Sequence, residues 1–570
     1  MTIALKRVQR VLTLPLTHIA LLVAGSIFLL LLAFHGNIWF DESYSVGIAS
    51  KSFAEIWRIG SCDVHPVLFY WALHVLYLAF GENVLVYRIF AVAGAIALAA
   101  LGYTHLRRDL GPAPAVLFSF LCFFTPYIAL MAVEIRMYSW ATFFVTLCFV
   151  YAMRIERRLA SASPLPDGSS SPAPRGARVV PVAWWAIFAV SGLASAYLHY
   201  FGAISAFAVN ALFLAAMVRL IIRREVGGSV FAVYLCLAVA QVAAYLPWLA
   251  ALLGQVGVVS NTYWANFVFP ATLIELAAYP VLTSPLSFAV RGFYGTAAQV
   301  ATVVGLVLLC VAILAGVVFA VLRRAGRGCP RIALRHASSS SADDARACLA
   351  GFAVYAVVLA LGVAASVVMG SLILYYRYLF VAVGPLLVGL SVLLSRVKEP
   401  AVLFVAVGSL LWLSCINLAL FSHDSYSVEN EEPLAYFQEA VAASRQENVV
   451  EGLDDSALVL SSDIGVEGVT AVLCQDIPQV YLDWQPGNWG VAYESYAPTL
   501  ESVRTWGEAL EGYEGRFVVL GQSSDGSTPR DVRDLAQMPG VDVVSEKTFY
   551  RPYERTYFTV AVMERDVPAL

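Results

Sequence analysis

The chain has 570 residues, 60% of them hydrophobic and only 13% charged, with a mean hydropathy of +0.73. Soluble domains carry about 25% charged residues, so composition excludes an ordinary soluble protein and points to a polytopic membrane protein. The net charge of −4 is unevenly spread: residues 422–570 hold 26 of the 40 acidic residues and 9 of the 36 basic ones, leaving that tail at −17 and the rest at +13.

Lys6, Arg7 and Arg10 precede the first long apolar run, which reads as an uncleaved first span rather than a cleavable signal. Apolar runs lie near 11–34, 65–80, 84–106, 113–132, 137–153, 182–198, 202–222, 229–253, 297–322, 349–370, 378–395 and 400–421. Basic clusters favour the cytoplasm. They occur at the N-terminus, Arg107/Arg108, Arg154/Arg157/Arg158, Arg223/Arg224, Arg323/Arg324 with Arg327, and Arg396/Lys398. If all twelve runs crossed, the first two clusters would fall on opposite sides. Removing the 16-residue "HPVLFYWALHVLYLAF" places every cluster on one side. That segment is short for a span and rich in Tyr and Trp, so it is expected to lie along the outer surface. The expectation is eleven spans, a cytoplasmic N-terminus and an extracytoplasmic tail, in the plasma membrane.

"LASASPLPDGSSSPAPRGAR" and "AGRGCPRIALRHASSSSADDAR" read as unstructured cytoplasmic connections. The aromatic outer loop near 254–296 is suited to pack over a cavity or act as a lid. In the tail, "SALVLSSD", "IPQVYLD" and "GRFVVLG" read as short buried strands, and "TLESVRTWGEALEG" as helix-compatible. The fold class is thus mainly α, a polytopic helical bundle over 1–421, with a soluble α/β domain of largely parallel sheet over 422–570. Nothing suggests a nucleic-acid partner. The nine cysteines show no zinc-type spacing and no CxxC pair. Cys62 and Cys474 share a compartment on this topology and are the one candidate pair.

Unusual polar residues gather at the expected outer ends of the spans. Asp41 and Glu42 follow the first span, Asp63 and His65 open the surface segment, and Arg88 lies near the outer end of the next span. Glu134, Arg136 and Tyr138 come from "MAVEIRMYSW", His199 and Tyr200 from "YLHYFG", and Tyr375 to Tyr378 from "LYYRYL". Ionisable residues at membrane depth are costly and usually mark function. Blander roles exist for several of them: tyrosines as interfacial anchors, Arg88 snorkelling to lipid phosphate, His199 as a satisfied core histidine. The adjacent Asp41 and Glu42 repel one another and need cations, for which Arg136 and Arg377 are available on the same face.

"WFDESYS", then "DVHPVLFYW", "EIRMYSW" and "YYRYL" in that order resemble the GT-C membrane glycosyltransferases, in the branch of protein O-mannosyltransferases and lipid A aminoarabinose transferase. The resemblance covers the membrane part; the usual HPP triplet stands here as "HPV", with Val67 at the second proline. It implies a polyprenyl-phosphate-sugar donor and a catalytic base at Asp41. A phosphate leaving group needs little protonation, so one carboxylate base suffices, unlike the pair of a glycosidase. On this reading Asp41 takes the acceptor hydroxyl's proton and Glu42 supports it. Arg136, Arg377, His65 and Tyr376 hold the donor phosphate, while Asp63, Glu134, Tyr138 and His199 position substrate. Direct displacement inverts the anomeric carbon. The acceptor is a glycan, lipid or protein hydroxyl. A divalent cation near Asp41, Glu42 or His65 fits the ligand types, without diagnostic spacing. The competing readings are a transporter or lipid flippase and a membrane scaffold; no internal repeat is visible, and the polar groups gather at one face, against the midplane sites of transporters.

Overall fold

The computed structural model describes residues 11, 13–160, 180–262, 268–281, 294–326, 339–369, 373–397, 399–423, 426–453, 455–483 and 489–566. Both Ser/Pro-rich connections, the N-terminal basic cluster and much of the 254–296 loop lie largely outside them. The chain forms two compact units, residues 1–33 with 89–418, and residues 34–88 with 419–570.

The first unit is helical. Among the described residues, nine helices are long and apolar enough to cross a bilayer, from Pro15–Ala33 to Pro400–Leu420. The chain is a multi-pass membrane protein. The two remaining expected spans are shorter helices. Val182–Leu198 has 17 residues, and the run at 113–132 is broken into Pro112–Phe124 and Ile128–Val133 around Pro126. Proline lacks the amide that a continuous helix would use there. The spans leave large apolar side chains exposed, such as Leu31, Val182 and Leu253, as lipid-facing surfaces require. Close helix contact is made through small residues: Gly351 lies against the Pro385 carbonyl with no room for a Cβ.

The second unit joins the segment after the first span to the tail. Its surface segment is the helix Leu68–Phe80, 13 residues and about 20 Å at 1.5 Å per residue, short of a ~30 Å hydrocarbon core. The tail holds a six-stranded sheet in the order β3-β2-β1-β4-β6-β5. Strands β1 (Val459–Ser461), β2 (Gln479–Leu482), β3 (Leu500–Val503) and β4 (Gly515–Ser523) are parallel. Strands β5 (Val541–Arg551) and β6 (Thr556–Arg565) form an antiparallel hairpin that joins through β6 to β4. β4 is central: Val518 and Leu520 enter one core with Phe437 and Phe558, whereas Phe517 and Val519 enter another with Val532 and Leu535. Burial on both faces explains its unbroken apolar run.

Three strands match the sequence expectation. "TLESVRTWGEALEG" does not stay helical: it begins with edge strand β3, and Thr505 then caps the short helix Trp506–Ala509 by accepting from the Glu508 amide. Cys62 and Cys474 are free thiols.

If Leu68–Phe80 stays on one side of the membrane, cysteines placed at Ser61 and Asn83 in a cysteine-free background will react equally with an impermeant maleimide added outside. Labelling of Asn83→Cys only after permeabilisation would show that the segment crosses.

Candidate active site

In the second unit, Asp41 and Glu42 occupy the first turn of the helix Phe40–Ala49. Acidic residues are favoured there because the helix end carries partial positive charge. The exposed amides are capped by carboxylates. Glu42 accepts from the Trp39 amide at 3.3 Å, and Glu554, in the tail, accepts from the Phe40 amide at 3.1 Å.

Glu42 is wholly buried, and its cation is Arg88, equally buried. Arg88 Nη1 donates to Glu42 Oε1 at 2.7 Å and Nη2 to Oε2 at 3.3 Å. The Tyr426 hydroxyl donates to Glu42 Oε2 at 2.7 Å, and Arg88 Nη2 also donates to the Asn37 carbonyl at 2.6 Å. Arg88 therefore does not snorkel to lipid; a guanidinium inside an apolar stretch is held where a carboxylate can answer it. Asp41, one residue earlier, is half-buried.

The tail supplies much of this environment. Asn430 Nδ2 donates to Asn37 Oδ1 at 3.0 Å and to the Ile38 carbonyl at 2.9 Å. The Tyr496 hydroxyl lies 3.1 Å from Ser43 Oγ, and both Asp41 and Asp63 are within its electrostatic reach. Burial pushes the Tyr496 phenol upward, so it keeps its proton. Asp63 and His65 are both buried, with His65 Nδ1 3.5 Å from Asp63 Oδ2. In the tail, Glu429 is pushed up to about 8, first by burial and then by the charge of Glu554, although it accepts from the Tyr553 amide at 2.8 Å.

In the first unit, three interruptions of helix hold the remaining candidates. Glu134 is extended at the end of Ile128–Val133, and the Arg136 amide turns back to its carbonyl at 2.7 Å. Both side chains are buried. Tyr138 begins the helix Tyr138–Ala160, at the end opposite its arginines. His199 is the extended residue between Val182–Leu198 and Tyr200–Ile222. Its Nδ1 accepts from the Phe201 amide at 3.1 Å, which fixes a neutral ring with the proton on Nε2. The third interruption is the 3₁₀ turn Tyr376–Ala382.

These turns meet through their rings. His199 stands 5.6 Å from Tyr138 and 5.2 Å from Tyr378, centroid to centroid. Arg377 lies over Tyr375 at 5.5 Å and Tyr378 at 5.9 Å. Tyr376 contacts Tyr127 and Tyr279, which stack on each other at 4.9 Å. Tyr279 also lies within electrostatic reach of Glu134. The first unit thus gathers Glu134, Tyr138, His199, Tyr376 and Arg377, with Arg136 two residues from both Glu134 and Tyr138.

Among the described residues no group of three or more His, Cys, Asp or Glu side chains is arranged to hold a metal. Glu42 is already engaged by Arg88 and Tyr426, and His65 by Asp63. The donor set does not fit a resident cation.

Sequence reasoning missed Tyr426, Tyr496, Glu554, Tyr127 and Tyr279. For Tyr127 and Tyr279 the signal was an aromatic residue beside a proline, at Pro126 inside an apolar run and at Pro280 in the outer loop. For the tail residues no local signal exists.

No protein-family model and no curated protein matches the chain. Among solved structures it is similar to the crystal structure of ArnT from Cupriavidus metallidurans in the apo state, at 12% identity and a TM-score of 0.43. It is also similar to that protein bound to undecaprenyl phosphate, at 14% identity and a TM-score of 0.40. Each alignment covers 95% of this chain and 97% of the other.

Two measurements check these interactions. Glu42→Ala strands a buried guanidinium, and breaking one side of such a pair costs about 3–5 kcal/mol. Hydrogen exchange of the helix Phe40–Ala49 will show that loss, and Glu42→Leu with Arg88→Met will recover much of it. The second concerns pH. A carboxyl raised from 4.5 to about 8 on folding contributes fully below 4.5 and loses its contribution as pH climbs towards 8. Glu467 and Glu554 shift the same way. Thermal melting of the tail will therefore fall between about pH 4.5 and 8, with a shallower slope in Glu429→Gln.

Proposed function

We propose that the chain is an integral membrane glycosyltransferase of GT-C type. It moves a sugar from a polyprenyl-phosphate donor to an acceptor hydroxyl at the outer face of the membrane. The observation that carries the reading is the asymmetry of the acidic pair: Glu42 is neutralised by a buried arginine and a tyrosine, while neighbouring Asp41 is half-buried at the same helix end. The difference in burial supports Glu42 as the structural acid of the pair and Asp41 as the reactive one.

A polyprenyl phosphate sugar is held in the bilayer by its lipid, so the enzyme must meet the phosphate at the membrane surface. Arg136 and Arg377 are the cations assigned to that phosphate, with His65 and Tyr376 as hydrogen-bonding partners. Asp41 removes the proton of the acceptor hydroxyl as its oxygen attacks the anomeric carbon. The bond to phosphate oxygen breaks, and the phosphate leaves with the electron pair, so the carbon inverts. Arginine charge stabilises the additional negative charge on the departing phosphate. Glu42 is a positioning residue that acts through Arg88. Asp63, Glu134, Tyr138 and His199 orient sugar or acceptor. The basic span ends support a cytoplasmic N-terminus and an extracytoplasmic tail in the plasma membrane.

Asp41→Asn keeps the shape of the side chain but cannot accept a proton. Loss of a general base typically lowers turnover by about 10²–10⁴-fold, with donor affinity nearly unchanged. Arg136→Gln and Arg377→Gln will instead weaken donor binding. The assay is transfer from a panel of labelled polyprenyl-phosphate sugars in purified membranes, with donor affinity measured separately. Normal turnover by folded Asp41→Asn would reduce the acidic pair to an interfacial loop.

A further inference from the structure

In the tail, the neighbouring strands β1 and β4 send the chain to opposite faces of the sheet. The helix Ile464–Leu473 follows β1 and buries Val466 in the core with Phe437 and Phe558. The helix Arg530–Leu535 follows β4 and buries Val532 and Leu535 in the other core, with Phe517 and Val519. Such a divergence opens a crevice outside the carboxyl ends of parallel strands, where open α/β sheets bind their ligands. Asp463, Gly465 and Gln522 are half-buried there, so the crevice meets solvent. A Cβ on Gly465 would come 3.0 Å from Asp463 Oδ1 and 3.5 Å from Gln522 Oε1.

Two buried side chains beside the crevice are incompletely answered. Glu467, wholly buried one helical turn beyond Asp463, has no hydrogen-bond partner for either carboxyl oxygen among the described residues. Burial first, then the charges of Asp531 and Asp463, push this carboxyl well above the usual carboxylate range. Arg551, also wholly buried, makes its polar contacts through Nη2, to Glu554 Oε2 at 2.8 Å, Thr556 Oγ1 at 3.0 Å and Gln522 Oε1. Its Nε and Nη1 have no hydrogen-bond partner among the described residues. Nearly all buried polar groups are paired, and an exception calls for an explanation. The explanation these two share is a ligand that offers donors and acceptors together. Half-buried Tyr493 has Glu467 and Asp463 within electrostatic reach, and its hydroxyl accepts from Tyr481 at 3.0 Å, leaving its own proton for another acceptor.

The crevice adjoins the Asp41 helix. Glu554, held by Arg551, caps the Phe40 amide, and a Cβ on Gly468 would come 2.8 Å from the Tyr496 hydroxyl and 3.0 Å from Ser43 Oγ. We propose that this crevice binds a sugar unit of a glycan and, as the acceptor site of the transfer reaction, brings its hydroxyl to the Asp41 helix. Sugar hydroxyls donate and accept at once, and so answer Arg551 and Glu467 together. An anion would meet Asp463 and Asp531, and a cation would answer the acids but not Arg551. The role as acceptor site rests on the transfer reaction proposed above; the binding of a glycan does not.

The full purified protein in detergent is titrated with mannotetraose, maltotetraose, chitotetraose and putrescine. Hydrogen exchange is followed in the helix Ile464–Leu473 and the turn 552–555. At least one of the glycans is expected to protect both segments, and putrescine neither. Glu467→Leu should weaken that glycan about tenfold, the equivalent of one lost hydrogen bond, and raise the melting temperature of the tail by removing an unpartnered buried acid. Gly465→Val, which fills the cradle between Asp463 and Gln522, should abolish binding. In transfer assays the same glycan should act as acceptor or compete with it, with donor affinity unchanged in both variants. No protection by any glycan, equal protection by putrescine, or unchanged affinity in the two folded variants would overturn the site. A bound glycan that neither accepts nor competes would overturn its role as acceptor. Absence of transfer from every labelled donor would overturn the transferase reading alone, since glycan protection is measured without donor.

Discussion

Glu42 and Arg88 give up water entirely, and the second unit is arranged around that fact. Removing two such ions from water costs several kcal/mol each, and their attraction repays this only when geometry is good and the remaining hydrogen-bonding positions are filled. Here two contacts join guanidinium and carboxylate, and the Tyr426 hydroxyl donates to the same carboxylate. The pair is poor evidence of net stability, since an apolar replacement of similar volume would often serve as well. Its effect is specificity: neither ion tolerates isolation, so residues 37, 42, 88 and 426 must come together before the unit is satisfied.

That constraint explains why the tail is built into the segment that carries Asp41. Tyr426 and Asn430 hold the strand of chain entering the Asp41 helix, Glu554 caps its first amide, and Tyr496 hydrogen-bonds within its first turn. The reactive-looking carboxylate is presented by a helix whose N-terminus is built from residues hundreds of positions away. A truncation after residue 425 would take Tyr426 from Glu42 and Glu554 from the Phe40 amide, leaving the start of the Asp41 helix without its tail contacts.

The sequence made the helices legible because a span must be apolar along its length, and three strands legible because β1, β2 and β4 are short buried runs. It failed at β3, where an edge strand with two exposed positions carries no strong period, and it did not resolve the β5–β6 hairpin, whose outer strand is mostly exposed. At the site, residue type was readable and pairing was not. Arg88 stood out as a charge in an apolar stretch, yet nothing local says that its partner is Glu42 rather than a lipid. Tyr426 is 384 positions from Glu42, and any tyrosine in the tail would have looked the same. Helix breaks were more informative. Glu134, His199 and Tyr376 mark places where regular backbone stops, and the polar atoms there also satisfy the backbone: the Arg136 amide by the Glu134 carbonyl, the Phe201 amide by the His199 ring.

The same physics narrows the chemistry. Two adjacent carboxylates, both charged and both open to a ligand, would suit an acid–base pair or a metal. Arg88 withdraws Glu42 from either use by cancelling its charge and occupying its oxygens, with Tyr426 completing the arrangement. On the proposed reading, Asp41 is the carboxylate that acts. A reaction served by one carboxylate needs a leaving group that departs without a proton, and a phosphate does so because it is already anionic. A glycosidase, whose leaving alcohol must be protonated, would need the second acid that this fold has given to an arginine.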